Sequence, residues 1–121
     1  MKILVVSIKS SGEILEDFEK ALKKARVGRL KKPHYEISFD NRKDFERFVR
    51  HISVLSMILA LKPRSIYELA KLSHMDVSNM NKIILFFEEF GAVRLKTSKV
   101  NGRTVKQPVV EYDTIQFDLA A

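Results

Sequence analysis

Cysteine and tryptophan are absent from this sequence, and histidine is scarce. The lack of cysteine excludes a disulfide scaffold, a cysteine-ligated zinc site, an iron–sulfur cluster and a thiol nucleophile. The three histidines, His34, His51 and His74, stand at unrelated spacings, which argues against a histidine-based metal or catalytic site. We therefore expect no metal, no cofactor and no enzymatic activity.

Long apolar runs are missing as well. The longest one near the start, Ile3-Leu4-Val5-Val6, is too short for the core of a signal peptide, and no small-residue cleavage site follows it. No segment approaches the ~20 apolar residues that are needed to span a bilayer. We therefore expect a soluble, cytoplasmic protein that does not associate with membranes.

The charge, by contrast, is strongly unbalanced. The chain has 121 residues, of which 45% are hydrophobic and 31% charged, and its formal net charge is +7. This length predicts one folded domain, with or without a small appendage. The excess of Lys and Arg makes a polyanion the expected partner, because cations release counterions when they neutralise phosphates. Between Arg94 and Lys106 there are five basic residues and no acidic one. This stretch is either a phosphate-binding patch or a solvated loop.

The first forty residues predict a strand, a helix and a second strand. Lys2–Ile8 is apolar and β-branched, which is typical of a buried strand. Apolar residues then recur with helical spacing from about residue 13 until Gly28 ends the helix. In residues 35–39 apolar and polar side chains alternate, as in a half-buried strand. The basic run within residues 23–32 is either a solvated helix end or a second phosphate contact.

The middle of the chain predicts a series of helices. Asp40 or Asn41 can cap a short helix that carries Phe45 and Phe48, and the apolar stretch Ile52–Leu61 follows it as a second helix. The next two helices are marked by their caps.

Ser65 and Glu68 have the spacing of a capping box, in which Ser65 accepts from the Glu68 amide and the Glu68 carboxylate reaches back to Ser65. After a short turn, Asp76 is placed to cap a longer helix over residues 77–90, and Gly91 closes that helix. These signals predict two helices joined by a tight turn.

Strands complete the pattern. Ala92–Thr97 and Arg103–Val110 flank Asn101-Gly102, the strongest two-residue signal for a β-hairpin. Thr114–Leu119 alternates as a last strand. Because a sheet needs about three strands to be stable on its own, we expect this strand to pair with the two near the N-terminus, within the chain or across to a second subunit. The fold class is therefore α+β.

The order of these parts is that of a winged helix-turn-helix with an N-terminal β-α-β extension. In the helix over residues 77–90, Met80, Ile84 and Phe87 form one stripe for the core. The polar residues near its N-terminus lie off that stripe and are expected to contact DNA bases, because Asn suits adenine and Lys suits guanine or phosphate. These residues are Ser78, Asn79, Asn81 and Lys82.

Two further groups of residues are expected to contact the DNA backbone. The hairpin, as the wing, supplies Lys96, Lys99, Arg103 and Lys106. Ser65 and His74 are secondary phosphate contacts next to the helix-turn-helix. For His74 the simpler interpretation is a plain turn residue.

Ile83–Phe87 is a run of five large apolar residues in the middle of the same helix. They cannot all face one core, because successive helix positions point about 100° apart. Either the N-terminal extension covers this helix, or the run contacts a second subunit or a partner protein.

Three motifs connect the chain with a known group of proteins: SIYELA at Ser65–Ala70, EEFGAV at Glu88–Val93 and YDTIQFDL at Tyr112–Leu119. With these motifs, segment 36–119 resembles the predicted transcriptional regulators of the MarR-like winged-helix superfamily of bacteria and archaea. Some members of that group are antitoxins encoded beside a small toxin, so the resemblance implies autoregulation as a possible role.

Together these interpretations divide the chain into three parts. Residues 1–40 form the β-α-β extension, residues 41–112 the winged helix-turn-helix, and residues 113–121 the strand that joins the extension. The expected function is sequence-specific binding of double-stranded DNA by a homodimeric repressor or autorepressor. The alternative is an antitoxin-type interaction module that neutralises a partner toxin and uses DNA binding for autoregulation.

Overall fold

The computed structural model describes residues 2–8 and 34–119, and for His34 and Tyr35 it describes the backbone only. The helix expected from about residue 13 and the basic run within residues 23–32 lie outside these ranges. The described helices are α1 (Arg42–Arg50), α2 (Ile52–Leu61), α3 (Ile66–Leu72) and α4 (Val77–Glu89). The described strands are β1 (Ile3–Ile8), β2 (His34–Phe39), β3 (Arg94–Val100), β4 (Arg103–Val109) and β5 (Thr114–Asp118).

The chain divides into two compact units, and the fold is α+β. Unit 1 comprises Met1–Arg47 and Thr114–Ala121, and unit 2 comprises Phe48–Asp113. The division falls within α1, seven residues after the boundary expected at residue 40. Among the described residues, no helix is both long and apolar enough to cross a membrane.

Unit 1 contains a three-stranded parallel sheet in the order β2-β1-β5. The expected pairing of the last strand with the N-terminal strands is confirmed for β1, whose Ile3 lies opposite Thr114 of β5 on one side and His34 of β2 on the other. Leu4 and Val6 on the central strand are fully buried. Phe45 of α1 packs its ring against Phe39 and Phe117, with centroids 6.0 Å apart in both pairs.

Unit 2 has its core around the middle of α4. The predicted stripe of Met80, Ile84 and Phe87 is confirmed, because all three side chains are fully buried. The Phe87 ring meets the edge of Phe48 at a centroid distance of 5.3 Å. Leu69 of α3 completes this core.

The run Ile83–Phe87 splits between core and surface. Ile83 and Phe86 are buried like the stripe itself, whereas Leu85 keeps 45% of its surface exposed. The Phe86 ring lies against Phe90 one turn later, with centroids 5.1 Å apart. A buried arc wider than the predicted stripe therefore accommodates four of the five side chains.

The helix caps follow the sequence signals, with two refinements. Asn41, and not Asp40, caps α1, since its Oδ1 accepts from the Asp44 N–H at 2.8 Å. Ser65 Oγ accepts from the Glu68 N–H at 3.0 Å, as predicted. The Glu68 carboxylate, however, accepts from the backbone N–H of Arg64 at 3.1 Å instead of that of Ser65. The same carboxylate also binds the Arg64 side chain, and this second contact draws it one residue further back.

The hairpin forms where predicted, but β3 begins and ends later than expected. Asn101 and Gly102 both have positive φ angles, 52° and 77°, as a tight two-residue turn of this kind requires. Pairing therefore continues up to Val100, which lies opposite Arg103. Ala92 stays outside the strand, because its N–H donates to the Phe87 carbonyl and so completes the end of α4 beyond Gly91.

Candidate nucleic-acid interface

Helices α3 and α4 are joined by the four residues Ser73–Asp76, which cap the end of α3 and the start of α4. His74 has a φ of 57°, and the Met75 N–H donates to the Ala70 carbonyl at 2.9 Å, so that the left-handed residue ends α3 in a Schellman motif. Asp76 then starts α4, because its Oδ2 accepts from the Asn79 N–H at 3.0 Å. The turn thus fixes where the N-terminus of α4 begins.

The polar residues at the start of α4 are all exposed, but they do not share one face. At about 100° per residue, Ser78, Asn81 and Lys82 lie on the side opposite the buried arc that Ile83 and Phe86 form together with the stripe. Asn79 is exposed on the flank of the helix, about 60° around the axis from Lys82 and about 100° from Ser78. One turn further along, the same outer face carries Leu85.

The C-terminal end of α4 has the opposite electrostatic character. Glu88 and Glu89 are both exposed there. Two carboxylates at this end repel phosphates, so only the first half of the outer face is suited to approach a polyanion.

Register in the hairpin separates the predicted wing cations into two pairs. Opposite residues of an antiparallel pair point to the same side, and neighbours along a strand alternate. Arg103 lies opposite Val100, and Lys96 shares that side of the hairpin. Lys99 and Lys106 lie opposite Thr104 and Thr97 and point to the other side. We call the side with Arg103 the inner face and the side with Lys99 the outer face.

All four wing cations are exposed, and so is Arg94, the fifth basic residue of the stretch, which differs from them in being paired. Arg94 binds Glu111 through Nε at 2.8 Å. Within the part of the chain that the structure describes, no carboxylate lies within ion-pair distance of Lys96, Lys99, Arg103 or Lys106. These four cations are thus available to a ligand.

The two predicted secondary phosphate contacts lie at opposite ends of α3. Ser65 is half-buried, and its hydroxyl oxygen already accepts the α3 cap bond. His74 is exposed in the turn before α4. The structure therefore does not bring Ser65 and His74 together into one contact.

Three exposed side chains beside the hairpin were missed by the sequence interpretation: Arg64, Tyr67 and Lys71. Together with Ser65, Glu68 and the inner face of the hairpin they line a groove of about 760 Å³. The sequence held a signal for two of them, because Tyr67 and Lys71 are spaced i, i+4 on a short helix whose Leu69 and Ala70 face the core.

Glu68 is held inside this groove by Arg64. Its Oε2 lies 2.8 Å from Arg64 Nη2, and its Oε1 accepts from the Arg64 backbone N–H. The side-chain and backbone hydrogen bonds from Arg64 lower the pKa of Glu68 below its usual range. Glu68 therefore stays ionised, with its negative charge offset by Arg64.

The described residues contain no group of three or more His, Asp or Glu side chains that could hold a metal ion.

Comparison with known proteins gives one match. The sequence model of a family described as HVO_A0114 matches residues 49–117, which is more than half of the chain. The chain belongs to the HVO_A0114 family. The matched span runs from within α1 to within β5, so it includes all of the helix pair and the hairpin. No curated protein and no solved structure matches the chain. The description of the HVO_A0114 family names no activity, so the match provides no link to MarR-like regulators.

Proposed function

We propose that this protein is a sequence-specific, double-stranded DNA-binding transcriptional regulator whose residues 48–113 act as a winged helix-turn-helix. The observation that carries this proposal is the combination of a capped helix pair with an exposed polar N-terminal half on α4 and a hairpin of four unpaired cations. Helices of this kind place their first turns in the major groove, while flanking cations contact phosphates.

The charge of unit 2 supports a polyanionic ligand. It carries ten basic and six acidic side chains, a net charge of +4. Of the six acids, Glu68 is paired with Arg64 and Asp76 caps α4. Glu88 and Glu89 lie at the far end of α4, so the first turns of that helix beyond the capping Asp76 carry Lys82 as their one charged side chain, beside neutral polar groups.

The proposed roles follow from this geometry. Ser78, Asn81 and Lys82 contact base edges, and Asn79 contacts bases or the adjoining backbone from the flank of the helix. The exposed wing cations contact the DNA backbone: Lys96, Lys99, Arg103 and Lys106. Ser65 and His74 make secondary phosphate contacts.

A selection of binding sites from random duplexes tests the proposal. The purified full chain is expected to enrich one short motif and to bind it with an affinity that falls as salt rises, because phosphate contacts release counterions. A protein that enriches no motif, and shows no salt-dependent binding to any duplex, would not be this regulator. That outcome would favour the alternative drawn from the family resemblance, an antitoxin whose main partner is a toxin protein.

We further propose that the regulator acts as a homodimer, because one winged helix contacts few base pairs and specific sites combine two half-sites about one helical turn apart. The enriched motif should then be a pseudo-palindrome, and the mass in solution should be that of two chains. Because β1 is the central strand of its sheet, a chain lacking residues 1–33 loses that sheet. If this truncated chain remained a folded dimer, the interface would lie in unit 2.

A further inference from the structure

The groove between α3 and the hairpin includes Arg103 of the proposed wing, but most of the side chains that line it have no role in the proposed base and wing contacts. Its helix wall carries Arg64, Tyr67 and Lys71, and its hairpin wall carries Val100, Arg103 and Val105. The two walls are held at a fixed separation, because Gln107 Nε2 donates to the Pro63 carbonyl at 3.2 Å. The groove is therefore a preformed feature of unit 2.

The charge inside the groove is positive even though it contains an acid. Glu68 is neutralised by Arg64, whose side chain is still 64% exposed and whose guanidinium has further N–H donors beside those in the pair. Lys71 and Arg103 face no carboxylate of the described residues. Cations therefore line both walls of the groove.

Tyr67 gives the groove an aromatic group. It is 63% exposed, the highest value among the large hydrophobic side chains described in unit 2. Its hydroxyl can donate to an anionic oxygen, and its ring, with Val100 and Val105 on the opposite wall, offers an apolar surface. The site thus combines cations with flat apolar surface, as a chain of alternating phosphates and sugars requires.

We propose that this groove holds the sugar–phosphate backbone of the DNA strand that borders the major groove entered by α4. Lys71 and Arg103 would neutralise phosphates, Arg64 would donate its remaining N–H groups to a phosphate oxygen, the Tyr67 hydroxyl would donate to another, and the two valines would contact deoxyribose. The inference rests on the proposed function and adds contacts that it does not contain.

A long polyanion fits this groove better than a small anion does. The groove is open and its cations are exposed, so a single phosphate would gain little from each of them. A DNA strand gains from all of them together, since each neutralised phosphate releases a counterion. The proposal also gives the hairpin an orientation, in which the inner face with Arg103 meets this strand and the outer face with Lys99 and Lys106 contacts phosphates elsewhere on the duplex.

Single-charge variants test the proposal with the motif that the selection enriches. Lys71→Ala is expected to lower the slope of log affinity against log salt by about 0.9, with several-fold weaker binding and an unchanged base preference. Tyr67→Phe should weaken binding less, and it keeps the ring. Arg94→Ala is the matched control, because it removes the same charge from a residue that is paired with Glu111 outside the groove.

Neutral methylphosphonate linkages locate the contact. Replacing one phosphate after another along each strand should reveal a position at which wild-type binding weakens and Lys71→Ala binding does not. If the wild-type protein binds its motif but Lys71→Ala keeps the wild-type slope and responds to every linkage as the wild type does, the groove proposal is wrong and the proposed function stands. If the wild-type protein binds no duplex, the proposed function fails first. Stronger dependence on Lys71 for polyglutamate than for DNA would assign the groove to an acidic protein partner instead.

Discussion

The parallel sheet of unit 1 and the hairpin of unit 2 are stabilised in opposite ways. In the sheet, β1 and β5 come from opposite ends of the chain, so their pairing closes a long loop and must be offset by burial. Leu4, Val6 and Phe39 accordingly have at most 1% of their surface exposed. The hairpin closes through Asn101 and Gly102 alone, and most of its side chains are free to face solvent. Buried apolar side chains therefore stabilise the sheet, whereas the hairpin offers exposed positions that can be varied for recognition.

The largest expected effect is the loss of a buried side chain from the central strand. Leu4→Ala should lower the free energy of unfolding by about 2–5 kcal/mol, because it removes a fully buried side chain and leaves a cavity. Urea unfolding followed by circular dichroism measures it. The control is Thr97→Ala on the exposed outer face of the hairpin, which should change stability by less than about 0.5 kcal/mol. Equal losses in the two variants would remove the contrast between the two regions.

In the hairpin we expect substitutions to weaken DNA binding and to leave stability nearly unchanged. Changing Lys96, Lys99, Arg103 and Lys106 together to Ala should weaken binding to all duplexes by on the order of 100-fold at moderate salt, with each lost phosphate contact lowering the salt slope by about 0.9. Unfolding should be nearly unchanged, because all four side chains are exposed. Salt-dependent anisotropy measurements with labelled duplexes provide the test. If the quadruple variant bound duplexes as tightly as the wild-type protein, the wing assignment would be wrong.

A smaller and more selective effect is expected on α4. Asn79→Ala and Lys82→Ala should relax preference at particular base pairs, at a cost of about 1–3 kcal/mol there, while binding to unrelated DNA changes much less. Because Lys82 lies on the outer face and Asn79 on the flank, Lys82→Ala should have the larger effect on the selected motif. Repeating the selection with each variant measures this. An unchanged motif in both would show that this end of α4 does not enter the major groove.

The elements that the sequence predicted well are those whose signals lie within a few residues. Ser65, Asp76 and the Asn101-Gly102 pair each act on a partner at most three residues away, so the ends of α3, α4 and the hairpin were predictable. The strand order β2-β1-β5 depends on pairing between distant segments, and only the need to bury the apolar strands suggested it.

The groove residues were missed for a related reason. Arg64, Tyr67 and Lys71 gain their relevance from the inner face of the hairpin, which lies beyond α4 in the sequence. Likewise, the division of the wing cations between two faces depends on the register of β3 with β4, which the spacing of lysines alone does not determine. Local patterns therefore predicted the elements, and the contacts between elements arranged the candidate site.

The smallest expected effect concerns Glu68, the acidic residue of the groove between α3 and the hairpin. Arg64 lowers the pKa of Glu68 in the folded protein. Ionised Glu68 therefore adds stability at pH values above about 4.3, the pKa of Glu in an unfolded chain. This stability is lost as the pH falls through the lower pKa of the folded protein. Glu68→Gln keeps a side-chain carbonyl that can accept from the Arg64 N–H but cannot ionise. The wild-type protein should therefore be slightly more stable than Glu68→Gln at pH 7, and the difference should shrink between about pH 5 and pH 3. Urea unfolding of both proteins at several pH values measures this difference.

The control repeats the comparison with Arg64 changed to Ala in both proteins. The hydrogen bond from the Arg64 side chain to Glu68 is then absent, so the difference in stability caused by Glu68→Gln should depend less on pH. A difference that stayed constant over this range, with Arg64 present, would show that the ion pair does not couple Glu68 ionisation to folding.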